Sequence, residues 1–193
     1  MHSTIQDCER TAMADGLAAG LTMACDAVGG VTAPGRVAAL PLTRIDAGTP
    51  VLPHWLAQAE GVGFVRTPDC PDAPVATLTA FGVLLGAVRL GVTRRLAERA
   101  VEHLSGRTAG GEPTIRKQLV LGVLADVLTA TEALRRCLQV AAGVPAAVTD
   151  VHDRLTELDW ESAKLLGANG FITDSPTRAA YVSRLVANCW VPR

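Results

Sequence analysis

A chain of 193 residues has room for one domain with a proper core, or one domain and a small appendage, but not for two full domains. Its residues are 49% apolar but only 4% aromatic, so the core has to come from Ala, Leu and Val, which favours a helical bundle. Lys and Arg number 18 against 19 Asp and Glu, leaving no net positive charge for nucleic-acid phosphates, and no apolar run approaches the roughly 20 uninterrupted residues of a membrane span.

Small and apolar residues recur at helical spacing from Thr4 to Val28 and stop at Gly29-Gly30, which predicts an N-terminal helix. Prolines at 34, 41, 50, 53, 68, 71 and 74 then punctuate short apolar runs such as Val37 to Leu42 and Val62 to Val65. That stretch reads as loops and short strands, a small sheet remnant packed on the helices. Residues 1–75 thus form an N-terminal helix and a Pro/Gly-rich appendage.

From residue 76 onward the period lengthens to that of helices. The first segment, Ala76 to Ser105, puts Leu78, Val83, Leu84, Ala87, Leu90, Gly91, Ala97, Val101 and Leu104 on a core face, with Arg89, Arg94, Arg95, Glu98 and Arg99 mostly off it. A break at Ala109 to Pro113 leads to Thr114 to Ala142, whose core face carries Leu119, Val123, Leu124, Val127, Leu128, Ala130, Leu134 and Leu138. Further helices are expected from Ala147 to Leu166 and, after Pro176, from Ser175 to Trp190. Short connections make neighbours antiparallel, so residues 76–193 are expected to form an up-and-down bundle.

Five scattered cysteines (Cys8, Cys25, Cys70, Cys137, Cys189), none in a CxxC pair, argue against a disulfide framework and against zinc. With no basic-then-apolar leader in MHSTIQDCER, a reducing cytoplasm is the expected setting. Cys137 and Cys189 are read as small core hydrophobes. The histidines have no metal-ligand spacing, and Asp150, Asp153, Asp159 and Glu161 are read as the solvated face of one helix.

Two phrases are less generic. One is RTAGGEPTIRKQ, beginning at Arg107 and ending at Gln118, followed by Ala125-Asp126 in VLADVL. The other runs from Lys164 to Pro176, KLLGANGFITDSP. Together, in this order, they resemble the C-terminal helical domain of acyl-CoA dehydrogenases. That family carries an Arg before Phe-Gly, then a Gln and Leu-Ala-Asp-Met, and later a Gln-x-x-Gly-Gly-x-Gly-Tyr loop. Here the aromatic is replaced by Gly110 and the later Gln by Lys164.

The resemblance implies that Arg107, Gln118, Gly167 and the backbone near Ala168 receive the FAD of a neighbouring subunit. An Arg fork beside a glycine-rich turn and a helix start suits a pyrophosphate in any case. The same residues also admit a structural role: Arg107 as a cation at a helix C-terminus, Gln118 as a surface residue, and Gly167 and Gly170 as turn glycines. Asp126 is read as a helix residue with a local partner.

Desaturating an acyl thioester needs a carboxylate to take the proton alpha to the carbonyl. At the family's spacing that Glu falls on Val191, within Trp190-Val191-Pro192-Arg193, or in a minority branch on Phe81, and neither accepts a proton. The family's last helix, and the domains that wall its flavin and acyl pocket, are likewise not expected in this chain. The expected function is therefore a reduced acyl-CoA dehydrogenase-like subunit, near acyl thioesters, lending a wall to a flavin site shared with a full-length relative. The alternatives are a non-redox cyclase, isomerase or dehydratase of polyketide or acyl tailoring in secondary metabolism, with Asp126, His103 and Glu102 as first candidates, or an inert assembly subunit. A homodimer or heteromer is expected to cover the exposed apolar face, with the N-terminal helix, through Leu17, Leu21 and Ala24, the other candidate cover.

Overall fold

The computed structural model describes every residue except Met1, 30–31, 68–72, 142, 173–174 and 192–193. Gly30, Pro68, Cys70, Pro71, Ala142, Thr173-Asp174 and Pro192-Arg193, all used in the expectations above, lie outside the described residues. The N-terminal segment forms two helices, α1 (His2–Asp15) and α2 (Leu17–Val28), where one was expected. Gly16 divides them. Its φ of +97° is open to glycine and strained for other residues, and it turns the chain back so that α2 packs on α1. Gly29, also at positive φ, ends α2 by donating its N–H to the Cys25 carbonyl at 3.2 Å.

The proline-rich stretch contributes β1 (Val37–Pro41), β2 (Val51–Leu52), the short helix α3 (Trp55–Ala59) and β3 (Val62–Arg66). β3 is central in an antiparallel sheet of order β1-β3-β2, with Val37 opposite Arg66 and Val51 opposite Val65. The expected small sheet is therefore present, built from the two expected apolar runs as β1 and β3, with β2 added on the other side of β3.

Next comes α4 (Val75–Ser105), the axis of the molecule. By length and composition alone it could cross a membrane, but Arg89 interrupts its apolar run, and most of that stretch is buried against α1, α2 and the helices that follow. A hairpin of β4 (Thr108–Ala109) and β5 (Glu112–Pro113) turns through Gly110 and Gly111, both at positive φ, as a two-residue hairpin requires. It leads into α5 (Gln118–Val140), α6 (Pro145–Leu165), a 3-10 turn at Gly167–Phe171, and α7 (Thr177–Trp190).

Side-chain pairings fix the directions. Phe81 of α4 meets Trp190 of α7, a Cβ at Gly86 would meet Leu138 of α5, and Arg89 and Thr93 reach His152 and Asp159 of α6. So α5 and α7 run antiparallel to α4 and α6 runs parallel to it, as expected of an up-and-down bundle. Leu17, Leu21 and Ala24 are buried where α2 packs on α4, and one buried cluster reaches from Ile5 to Val191.

Several assignments of individual residues differ from expectation. On α5 the buried stripe is Leu124, Val127, Thr131, Leu134 and Leu138, at spacings of three and four; Leu119, Leu128 and Cys137 fall outside it and are exposed, as is Val101 on α4. In the opposite sense, Arg89 is 1% exposed and Asp159 is largely buried, because the α4–α6 seam closes over both.

Candidate functional site

Both family-like phrases sit at the same end of the bundle, since one links α4 to α5 and the other links α6 to α7. The Thr114 N–H donates to the Arg107 carbonyl at 2.7 Å, which closes the hairpin and sets Arg107 beside the start of α5. The Arg107 guanidinium lies 3.1 Å from Nε2 of His103, one turn back, and is exposed. Gln118 is the first residue of α5 and is exposed, and Lys117, at the N-cap, gives no side-chain acceptor to the free N–H groups of that first turn. Among the described residues, no carboxylate pairs with Arg107, Arg116 or Lys117. These cations thus stand beside the positive end of the α5 dipole.

Gly167, at φ +58°, and Ala168 are exposed in the second junction, and no hydrogen bond joins them to Arg107 or Gln118. Gly170 is buried for a packing reason, because a Cβ there would stand 2.4 Å from the Ala163 carbonyl. Lys164, in the place of the family's Gln, is held by Glu161 at 2.6 Å. Asp126 and Glu102 are exposed. Glu102 pairs with Arg99, while Asp126 has no hydrogen bond or ion pair among the described residues, so its expected local partner is not found.

The two positions at which a base was sought are packed core. Phe81 is 1% exposed and stands edge-on to Trp190, ring centroids 4.9 Å apart; Val191 is buried as well. Trp190 donates its indole N–H to the Ala39 carbonyl at 2.9 Å, tying α7 to the sheet.

A second cluster lies on the α4–α6 seam. Nη1 of Arg89 donates to the His152 carbonyl at 2.8 Å and to its Nδ1 at 3.2 Å, and Nη2 donates to Thr156 Oγ1 at 3.0 Å and faces Asp159 Oδ2 at 3.4 Å. Arg89 only donates, and the Gly82 carbonyl, 2.9 Å from His152 Nε2, only accepts. His152 is therefore the neutral Nε2–H tautomer. Thr93 donates to Asp159 Oδ1 at 2.7 Å. Burial raises the Asp159 carboxyl above its ordinary range, against the pull of Arg89, and burial lowers the Arg89 guanidinium, which stays charged because it starts so high.

Asp159 and Thr156 also face a cavity of about 390 Å³ between α3, α6, the 3-10 turn and α7. Its walls are mostly apolar, and Arg184 of α7 enters it, its guanidinium 5.7 Å from the Tyr181 ring centroid. Sequence reasoning missed Arg89, His152 and Asp159. The signals were there: Arg89 is the single charge between Val75 and Thr93, and His152, Leu155, Asp159 and Ser162 share one helical stripe.

Comparisons with known proteins bear on the fold. Residues 73–190 match the family model of the acyl-CoA dehydrogenase C-terminal domain. Among solved structures the chain is similar to butyryl-CoA dehydrogenase from Megasphaera elsdenii, at 18% identity and a TM-score of 0.58 over 76% of this chain and 46% of that one. It is also similar to the Tcur3481-Tcur3483 steroid ACAD, at 24% identity and a TM-score of 0.58 over 74% of this chain and 45% of that one. A third similar structure is FkbI, for biosynthesis of the methoxymalonyl extender unit of the Fk520 polyketide, at 23% identity and 0.54 over 74% and 48%. The chain spans less than half the length of each. No curated protein matches it.

Proposed function

The chain belongs to the acyl-CoA dehydrogenase family through its C-terminal helical domain, and on that premise we propose that it is a subunit contributing one wall of a flavin site to a full-length relative in the cytoplasm. The observation that carries this reading is the corner formed by Arg107, Arg116, Lys117 and the uncapped start of α5, where none of the three cations pairs with a carboxylate among the described residues. Such a corner suits the diphosphate of FAD, the cofactor of the family. Arg107 would hold phosphate oxygens with its fork, Gln118 would add its side-chain amide, and Gly167 and Ala168 would offer open backbone from the second junction. When bound, FAD supplies the two-electron acceptor.

This chain's own residues do not supply the proton acceptor at the two expected positions, because Phe81 and Val191 are apolar and packed against the Trp190 region. The partner brings the base and the acyl thioester, and the bundle brings charge and shape. Copurification with a full-length acyl-CoA dehydrogenase from the same source should give a yellow heteromer whose flavin content falls when Arg107 is replaced by Glu. A colourless heteromer, or flavin content indifferent to Arg107→Glu, would defeat the reading, as would a stable homodimer that never takes up the partner.

A second reading, a non-redox cyclase, isomerase or dehydratase, is favoured by Asp159, a carboxyl of raised pKa facing an apolar cavity. Its candidates thereby shift from Asp126, His103 and Glu102, none of which lines that cavity, to Asp159.

A further inference from the structure

The chain has three Trp, one Tyr and three Phe, and they divide cleanly. Phe64, Phe81 and Trp190 are buried in the core. The other four, Trp55, Trp160, Phe171 and Tyr181, are 42–60% exposed and stand around the one cavity that Asp159 and Arg184 enter. They come from four different elements, α3, α6, the 3-10 turn and α7, so no single amphipathic helix accounts for them. Aromatic faces held open to water around a concavity are what a site for a flat apolar ligand presents.

We infer that this cavity binds a small organic carboxylate with a flat apolar body, the rings of Trp160, Phe171 and Tyr181 holding the body and Arg184 receiving the carboxylate. The charge around the cavity selects the sign. Arg89 is committed to Asp159, and Arg178, also at the cavity, donates through Nε to Glu60 at 2.6 Å. Arg184 has no ion pair among the described residues, and its buried Nε has no hydrogen-bond partner. Its contact is with the Tyr181 ring, which consumes none of its donors.

A cation is disfavoured, because both oxygens of Asp159 are already engaged, by Thr93 and Arg89, and because the guanidinium groups of Arg89 and Arg184 both act on that carboxylate. A phosphate dianion asks for more donors than one fork in an apolar pocket provides, whereas a monocarboxylate matches it as a bidentate pair. The cavity volume of about 390 Å³ lies at the small end of the range for organic ligands. Occupancy requires no turnover, so the inference stands independently of both functional readings.

The test uses the full chain and two probes of one shape, 2-naphthoate and its neutral counterpart 2-naphthamide, followed by calorimetry and by tryptophan emission, since Trp55 and Trp160 line the cavity and Trp190 does not. The acid should bind saturably and about tenfold or more tighter than the amide, the size of one charge-assisted contact. Arg184→Gln should bring the acid down to the amide's affinity and leave the amide unchanged, with Arg184→Lys between. The comparison of acid with amide on the unaltered chain needs no variant to fold. Equal affinities for the two probes, no saturable binding of either, indifference of the acid to Arg184→Gln in a folded variant, or burial of the aromatic ring by a second copy of the chain at micromolar concentration would each overturn the inference.

Discussion

The guanidinium of Arg135 on α5 meets the carboxylate of Glu9 on α1 edge to edge, with Nη2 2.7 Å from Oε1 and Nε 2.9 Å from Oε2. Arg94 of α4 reaches the same Oε1 at 2.8 Å. Three helices are thereby joined at one acid whose side chain is only 5% exposed. The N-terminal helix is thus locked to the bundle by polar geometry as well as by apolar area.

Glu9→Gln should destabilise the chain by about 2 kcal/mol in urea unfolding. Breaking a buried pair costs more when the stranded cation stays buried, but Arg135 is 22% and Arg94 37% exposed, and both regain water. A change below the error of the measurement would mean that α1 is held by packing alone.

Two buried acids should give opposite pH signatures. For Glu9, burial pushes the carboxyl up, but hydrogen bonds and charge from Arg135 and Arg94 outweigh it and hold the group below its ordinary 4.5. Its stabilising contribution is present above pH 4.5 and is lost as pH falls through the depressed folded value, so the parent and Glu9→Gln should converge in stability in acid. For Asp159, burial raises the folded value above 3.8, so the contribution of the protonated carboxyl is present below pH 3.8 and is lost as pH rises through the folded value, and what remains above it is the ion pair with Arg89. Unfolding free energies measured across this range, for the parent and each amide variant, check both signs.

Asp159→Asn leaves Arg89, 1% exposed, without its carboxylate and should cost about 3 kcal/mol or more. Replacing both, Arg89→Leu with Asp159→Leu, removes the charges together and should recover most of that loss, a coupling above about 1 kcal/mol in a double-mutant cycle. Strict additivity of the two single changes would show that the residues act separately.

Gly91→Ala and Gly122→Ala should move stability in opposite directions. A Cβ at Gly91 would lie 2.2 Å from the Glu9 carbonyl and 3.0 Å from the Met13 nitrogen, both backbone, so α1 and α4 must separate. The cost should be about 1–3 kcal/mol. A Cβ at Gly122, on the exposed side of α5, meets nothing within 4 Å, and the added helix propensity should stabilise by about 0.5–1 kcal/mol. Thermal melts of the two variants report the contrast.

Much of the fold is legible in the sequence. The long helices, their order and their antiparallel neighbours follow from periodicity and from Gly and Pro punctuation, and the two junction phrases carried the family. Even so, Gly16 passed as a helix residue although it is the hinge of a helical pair, because a lone glycine among alanines changes the local pattern little.

The placement of the functional side chains was harder to read. Arg107, Gln118, Gly167 and Ala168 were found by phrase and lie at one end, but their common corner depends on the direction of each helix. Asp159 was assigned to a solvated face with its acidic neighbours, and only the arrival of Arg89 and Thr93 from α4 explains its burial.

By itself the sequence determined the long helices of the bundle, most of their stops and to which family the bundle belongs, because hydrophobic period, capping and turn chemistry act within a few residues. Tertiary structure alone decided that Arg89 meets Asp159 across 70 residues and that four scattered aromatics close around one cavity. The physical reason is that an apolar stripe records that a face must be covered and leaves open which element covers it, while the environment of a charge, and hence its protonation and its partners, is set by that cover.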